Sequence, residues 1–231
     1  MENLKRQIQV AVDAFKSQRI LEAEELTKKL ISENPNIVFL YNLLGLILEQ
    51  QKKFDQALEC YKKGIEVDPN FAMIYNNLGL LYIHSKKDNL KAEEYYKKSI
   101  DLNQKIPEPY NNLASLYKSL DRFDDAIDCY NKAIVINPKF VTAYHNLGNI
   151  YVAQGNFKEA RKKLEMALEI EPNYSVSHRT LSRLIKYTGK DEHFLKLKNL
   201  YKEINSQNKI NEKDYVNFST DPTKVSFYKN V

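Results

Sequence analysis

A repeat with a period of about 34 residues runs through most of this chain of 231 residues. Aromatic side chains recur at steps of 34, 35, 34 and 34 residues, at Tyr41, Tyr75, Tyr110, Tyr144 and His178. Two columns of small residues keep the same register, at Gly45, Gly79, Ala114, Gly148 and Ser182 and at Ala23, Ala57, Ala92, Ala126 and Ala160. Columns that advance together indicate an array of identical supersecondary units.

Each repeat has the pattern of two helices. Tyr144, Leu147 and Tyr151 fall at i, i+3 and i+7, which is one face of a helix. The following segment, 157–170, carries its own stripe, which includes Ala160. A proline closes most repeats, and the residue before a proline disfavours the helical conformation. Because one helix pair cannot bury its apolar stripes alone, the pairs are expected to stack, and the sequence predicts an all-α fold.

Segments 75–82 (YNNLGLLY) and 144–151 (YHNLGNIY) resemble the first helix of the tetratricopeptide repeat. The resemblance implies a right-handed superhelical α-solenoid of stacked helix-turn-helix repeats, with ligands held on its concave surface. The repeats are also similar to the arrays of proteins of the O-linked N-acetylglucosamine transferase type and of tetratricopeptide-repeat sulfotransferases. Members of the family commonly act as scaffolds or adaptors.

We expect one array over residues 4–208 and a largely irregular tail over 209–231. The predicted repeats are 4–37, 38–71, 72–106, 107–140 and 141–174, followed by a degenerate capping unit, 175–208. The third repeat is one residue longer than the others. A loop absorbs an insertion at little cost, so we expect the extra residue in a loop at 85–89.

Catalytic signatures are absent from the sequence. It contains no Walker-type phosphate loop, no Gly-x-Ser-x-Gly and no His-Glu-x-x-His, so no catalytic residue, metal or cofactor is predicted and the chain is not expected to be an enzyme. The four histidines are scattered and are expected to lie solvated on the surface. Cys60 and Cys129 hold the same position in alternate repeats, too far apart for a disulfide, and are expected to be unreactive.

Charge and hydropathy limit the classes of partner that the chain is expected to bind. The net charge of +5, from 35 basic and 30 acidic residues, is mild, and the lysines alternate with acidic residues as on a solvated helix face. Nucleic-acid binding is therefore not predicted. No run approaches the roughly 20 apolar residues that cross a bilayer, and no secretory signal is recognisable, so we expect a cytoplasmic protein without a membrane partner.

Amide side chains are concentrated on the first helix of the repeats. Asn77, Asn112 and Asn146 share one column, and amides suit the backbone of an extended peptide. The candidate peptide-binding residues are Asn42, Asn76, Asn77, Asn111, Asn112, His145, Asn146 and Asn149. The alternative is structural, since asparagine is frequent throughout this chain. Arg179, Arg183 and Lys186 form a possible anion-binding set. The alternative interpretation of these three residues is a solvated basic cap.

Two functions are compatible with these features. The first is a protein-interaction scaffold or adaptor whose concave surface binds an extended segment of a partner protein. The second is a separated substrate-recognition arm of a glycosyltransferase or sulfotransferase system. The sequence does not fix the oligomeric state.

Overall fold

The computed structural model describes residues 2–184 together with Glu192, His193, Leu195, Lys196 and Asn199. The predictions for Lys186, for most of the capping unit 175–208 and for the tail 209–231 lie outside the described residues. Clustering of contacts divides the chain into two compact units, Met1–Ile136 (unit 1) and Asn137–Val231 (unit 2).

The described residues form eleven α-helices and one π-helical turn. In unit 1 these are α1 (Glu2–Lys16), α2 (Ile20–Glu33), α3 (Val38–Gln50), α4 (Phe54–Val67), α5 (Ala72–Leu81), the π-turn Tyr82–Lys86, α6 (Asn89–Leu102), α7 (Pro107–Ser119) and α8 (Phe123–Ile136). In unit 2 they are α9 (Val141–Ala153), α10 (Phe157–Ile170) and α11 (Ser175–Leu184). Within unit 1 each odd-numbered helix packs on the next even-numbered one, and successive pairs stack. The predicted all-α fold of stacked helix pairs is confirmed.

The columns of small residues lie where the two helices of a pair approach each other. Gly45 on α3 faces the ring of Tyr61 on α4, and Gly79 on α5 faces Tyr96 on α6. Both tyrosines are almost completely buried, as is Ala57 on α4. A small residue on one helix thus leaves room for an aromatic ring from the other helix, so a column of small residues on one helix faces large residues on its partner.

Each of the five described turns within a helix pair contains one residue in the left-handed conformation. The five residues are Gln18 (φ 60°), Lys52 (60°), Lys87 (52°), Asp121 (57°) and Gly155 (72°). Such a residue ends the first helix and redirects the chain. Four of these five are not glycine, so those four turns carry a steric cost of about 1 kcal/mol each.

The extra residue of the third repeat lies within a helix. Residues Tyr82–Lys86 widen into a π-helical turn, which ends at the left-handed Lys87 and at Asp88, the N-cap of α6. The predicted loop at 85–89 is therefore wrong in its form. A single π-turn accommodates one inserted residue and keeps the flanking helices in register, which an enlarged loop does not guarantee.

Carboxylates link neighbouring repeats in unit 1. Buried Glu24 on α2 accepts hydrogen bonds from Lys28 (2.5 Å) and from Gln51 (2.6 Å), which lies in the turn of the next repeat. Hydrogen bonds from Lys28 and Gln51 lower the pKa of Glu24 to about 2. Glu93 on α6, which holds the repeat position of Glu24, accepts from the hydroxyl of Tyr117 (3.0 Å) on α7. These contacts fix the register between one helix pair and the next.

Among the described helices, none combines the length and the apolar character that crossing a bilayer requires.

Candidate peptide-binding face

The asparagines of unit 1 form a continuous chain of hydrogen bonds across α3, α5 and α7. Asn112 Nδ2 donates to Asn76 Oδ1 (2.9 Å), and Asn77 Nδ2 donates to Asn42 Oδ1 (2.8 Å). Within α5, Asn76 donates to Asn77 (3.2 Å), and within α7, Asn111 donates to Asn112 (3.5 Å). The amides therefore connect neighbouring first helices, and each one is oriented by the next.

This chain has a direction, because the donations lead from Asn111 and Asn112 on α7 through Asn76 and Asn77 on α5 to Asn42 on α3. Asn42, Asn76 and Asn77 are buried, whereas Asn111 and Asn112 are half-buried. At its far end Asn111 Oδ1 is buried and accepts no hydrogen bond from the described residues. The three buried amides are thus hydrogen-bonded to one another, whereas Asn111 and Asn112 at the α7 end are only half-buried as residues.

Apolar side chains flank the amides on the same helix faces. Phe39 and Leu46 are two turns apart on α3, and Met73 and Leu80 hold the same two positions on α5. All four remain partly exposed, Phe39 by 38%. Helices α3 and α5 are thus apolar on a second face, in addition to the one packed against α4 and α6.

We call this surface the amide face of unit 1. It consists of Phe39, Asn42, Leu46, Met73, Asn76, Asn77, Leu80, Asn111, Asn112, Ser115 and Lys118.

Charged groups near this face differ in whether they have partners. Half-buried Glu49 on α3 accepts a hydrogen bond from the hydroxyl of Tyr61 (2.5 Å), and burial raises the pKa of its carboxyl group. Lys118, in the last turn of α7, is half-buried, makes no hydrogen bond or ion pair with any described residue, and burial lowers its pKa. Sequence reasoning missed both residues, because a single charged residue in a helix gives no pattern that distinguishes it from a solvated one.

The candidate residues of unit 2 form a local cluster. His145 Nδ1 lies 3.0 Å from Ser177 Oγ on α11, and its Nε2 lies 2.9 Å from Asn149 Nδ2. The His145 ring also contacts Tyr174 edge to face at 5.6 Å. Asn146 is half-buried and makes no hydrogen bond with the described residues. His145 and Asn149 are therefore held by one another, while the Asn146 amide retains its full hydrogen-bonding capacity.

Arg179 and Arg183 on α11 are both exposed. They lie one turn apart, as the sequence predicted, and the third member of the possible anion-binding set, Lys186, lies outside the described residues. The anion-binding role of this set stays a prediction.

Two histidines expected to be solvated are buried, so that prediction is wrong for His178 and His193. Their rings stack at 5.2 Å, and His178 Nδ1 lies 3.0 Å from His193 Nε2. His178 Nε2 lies 2.7 Å from the carbonyl oxygen of Pro172 and must donate to it, so His178 Nδ1 accepts from His193. Burial lowers the pKa of both, that of His193 to about 4.

Cys60 is half-buried and Cys129 is buried, and burial raises the pKa of both thiols. A raised pKa disfavours the reactive thiolate. Within the part of the chain that the structure describes, no three histidine, cysteine or acidic side chains are grouped as metal ligands would be.

Sequence models of the tetratricopeptide repeat match residues 38–71, 60–94, 95–128 and 141–174, and a further model of the same repeat matches 114–155. Together these matches cover residues 38–174, which is more than half of the chain. The chain belongs to the tetratricopeptide repeat family. A search of curated proteins finds no significant match.

The tetratricopeptide repeat protein is also similar to solved structures. MamA is 28% identical, with a TM-score of 0.58 over 72% of this chain and 96% of that one. PilF of Pseudomonas aeruginosa is 17% identical, with a TM-score of 0.72 over 87% of this chain and 93% of that one. YrrB, described as a tetratricopeptide repeat protein with an unusual peptide-binding site, is 16% identical, with a TM-score of 0.55 over 75% of this chain and 89% of that one.

The family and the fold indicate a protein-interaction scaffold. The similarity to PilF and YrrB shows the shared fold alone, and the binding site named for YrrB is a property of that protein.

Proposed function

We propose that this tetratricopeptide repeat protein is an adaptor that binds an extended segment of a partner protein on the amide face of unit 1. The observation that carries the proposal is the partly exposed apolar set Phe39, Leu46, Met73 and Leu80, which lies beside oriented amides on α3 and α5. An apolar surface next to fixed polar groups is the usual composition of a peptide-binding groove.

The amides of this face have two roles in the proposal. Asn42, Asn76 and Asn77 hold α3 and α5 in register through their mutual hydrogen bonds. Asn111 and Asn112 are half-buried, so they are the amides of unit 1 that we propose to contact a ligand backbone. In unit 2 we propose the same contact for Asn146, with His145 and Asn149 in support.

The test begins with a displayed library of random twelve-residue peptides, selected against the whole chain. Selected peptides are synthesised, and their dissociation constants are measured by fluorescence anisotropy. Leu80→Glu places a charge on the amide face and is expected to weaken binding at least about tenfold, because a carboxylate there must lose water on binding. Leu90→Glu is the matched control, since Leu90 is 81% exposed on α6 and lies off the face.

Circular dichroism melts of both variants confirm that the fold is retained. Equal weakening by Leu80→Glu and Leu90→Glu, or no weakening by Leu80→Glu, would contradict binding at the amide face. Capture of partners from the native extract with the wild type and Leu80→Glu then identifies the physiological ligand. A glycosyltransferase or sulfotransferase among the specifically lost partners would favour the separated-arm hypothesis.

A further inference from the structure

Lys118 is half-buried, whereas the other lysines among the described residues of unit 1 are exposed. Lys28, Lys53 and Lys97 each lie within 2.5 to 3.5 Å of a carboxylate oxygen. Lys118 is half-buried and has no hydrogen bond or ion pair with any described residue. An ammonium group that gives up part of its hydration without a counter-charge destabilises the folded state, so a partner from outside the chain would be stabilising.

Position connects Lys118 with the ligand surface. It lies two turns beyond Asn111 on α7, and residues seven apart share a helix face. Asn111 Oδ1 is the buried acceptor that no described donor reaches. The α7 edge of the amide face thus carries a cation without a partner among the described residues, whereas the α3 and α5 part carries apolar side chains.

The ordinary explanation for such a lysine is local. In the last turn of α7 its charge interacts favourably with the helix dipole, by about 0.3–1 kcal/mol, and its aliphatic stem covers apolar surface. Both effects also operate when the ammonium group is fully hydrated. They therefore account for a lysine at this position and for the burial of its stem, but neither provides a counter-charge for its ammonium group.

We propose that Lys118 binds the side-chain carboxylate of an Asp or Glu in the partner segment. The acidic residue lies at α7, and apolar side chains of the same segment contact Leu80 and Met73 on α5. This inference rests on the proposed function, because it assigns the chemistry of one end of the ligand that the amide face receives. It predicts a partner motif in which apolar residues are flanked by an acidic one.

The experiment uses the peptides obtained by selection, each acetylated at its N-terminus and amidated at its C-terminus so that only side chains carry charge. Every position is replaced in turn by Glu, Gln and Lys, and dissociation constants are measured by fluorescence anisotropy. For the wild type, one position should prefer Glu over Gln by about tenfold, the effect of a charge-assisted hydrogen bond. Lys118→Glu should invert the preference at that position to Lys, and Lys118→Arg should retain the preference for Glu.

Lys132→Glu is the matched control, since Lys132 is exposed on α8 and its reversal changes net charge by the same amount. The inference is overturned if no position prefers Glu over Gln, if Lys118→Glu keeps the wild-type preference, or if Lys132→Glu inverts it equally. In each of these cases peptide binding itself, and with it the proposed function, remains intact. Absence of any selected peptide, or binding that is insensitive to Leu80→Glu, overturns the proposed function and this inference together.

Discussion

Replacement of Gly45 by alanine tests how closely α3 and α4 approach each other. A Cβ atom built on Gly45 would lie 2.6 Å from Cζ and 2.7 Å from Cδ1 of Tyr61. The ring is fully buried, and its hydroxyl donates to Glu49, so it cannot move without losing that bond. Overpacking costs about 1–3 kcal/mol or more, and alanine returns about 1 kcal/mol of helix propensity. We expect a net loss of about 2 kcal/mol in the free energy of unfolding.

The fifth repeat provides a matched control for this substitution. A Cβ atom on Gly148 would lie 2.9 Å from Cγ and 3.0 Å from Cδ2 of Leu164, which holds the position of Tyr61. A leucine side chain can adjust its rotamer, so Gly148→Ala should change the free energy of unfolding by less than about 1 kcal/mol. In the Gly45→Ala background, Tyr61→Leu should cost less than it does alone.

Amide hydrogen exchange of α3 and α4 is the suitable assay, because a repeat array can unfold in parts. Urea unfolding followed by circular dichroism gives the global stability of the same variants. A Gly45→Ala protein as stable as the wild type would refute the packing argument. So would additive effects of Gly45→Ala and Tyr61→Leu, since the two residues contact each other and must be coupled.

Three further substitutions have outcomes that the structure specifies. Hydrogen bonds from Lys28 and Gln51 lower the pKa of Glu24 to about 2. The ionised carboxylate therefore stabilises the fold fully above about pH 4.5, and this stabilisation is lost as the pH falls toward 2. Glu24→Gln should remove about 2 kcal/mol of this pH dependence, measured as the urea midpoint of unfolding against pH. Lys52→Gly should raise the free energy of unfolding by about 1 kcal/mol, because Lys52 has φ 60°, and Gly155→Ala is the opposite control. Burial lowers the pKa of His178, so the stabilisation that depends on its neutral ring is lost as the pH falls below about 6.5. His178→Tyr should therefore make the protection factors of the α11 amides less dependent on pH between 7 and 5.

The helix pairs could be predicted from the sequence because the contacts that define them are local and recur in every repeat. Gly45 and Tyr61 are sixteen positions apart (61 minus 45), and the same two columns reappear as Gly79 and Tyr96. Once the helices of one repeat are assigned correctly, the helix pairs of the other repeats follow from the same columns. The π-turn at Tyr82–Lys86 was not predictable in this way, because it depends on a single inserted residue that the other repeats lack.

The repeat position of His178 indicates that it is buried, although the scattered positions of the four histidines do not. His178 occupies the aromatic column, and its counterparts Tyr75, Tyr110 and Tyr144 are all buried. The hydroxyl of Tyr75 donates to the carbonyl oxygen of Pro69 at 3.0 Å, and His178 Nε2 makes the same contact with Pro172. Column membership therefore predicts the environment of this histidine better than its residue type does.

The amide face could be located from the sequence, but the hydrogen bonds within it could not. Asparagine columns show where amides accumulate, whereas the order of donors depends on which neighbouring helix each side chain reaches. The bonds run diagonally, from Asn77 to Asn42 and from Asn112 to Asn76, and connect two different columns. The charged member of the face, Lys118, was missed because its counterparts in other repeats, among them Glu49 and Val152, are unlike it in charge and polarity.

The direction of the amide chain determines which asparagine can report on ligand binding. Removal of the Asn77 side chain leaves Asn42 Oδ1 without a donor and Asn76 Nδ2 without an acceptor, and each buried unsatisfied group costs about 1–3 kcal/mol. Weaker binding by an Asn77→Ala protein would therefore combine a loss of stability with any loss of contact. Asn146 is half-buried and makes no hydrogen bond with the described residues, so its replacement disturbs no such bond. A loss of affinity in Asn146→Ala, with an unchanged unfolding midpoint, is the result that assigns an amide to the ligand and separates recognition from the structural role of the chain.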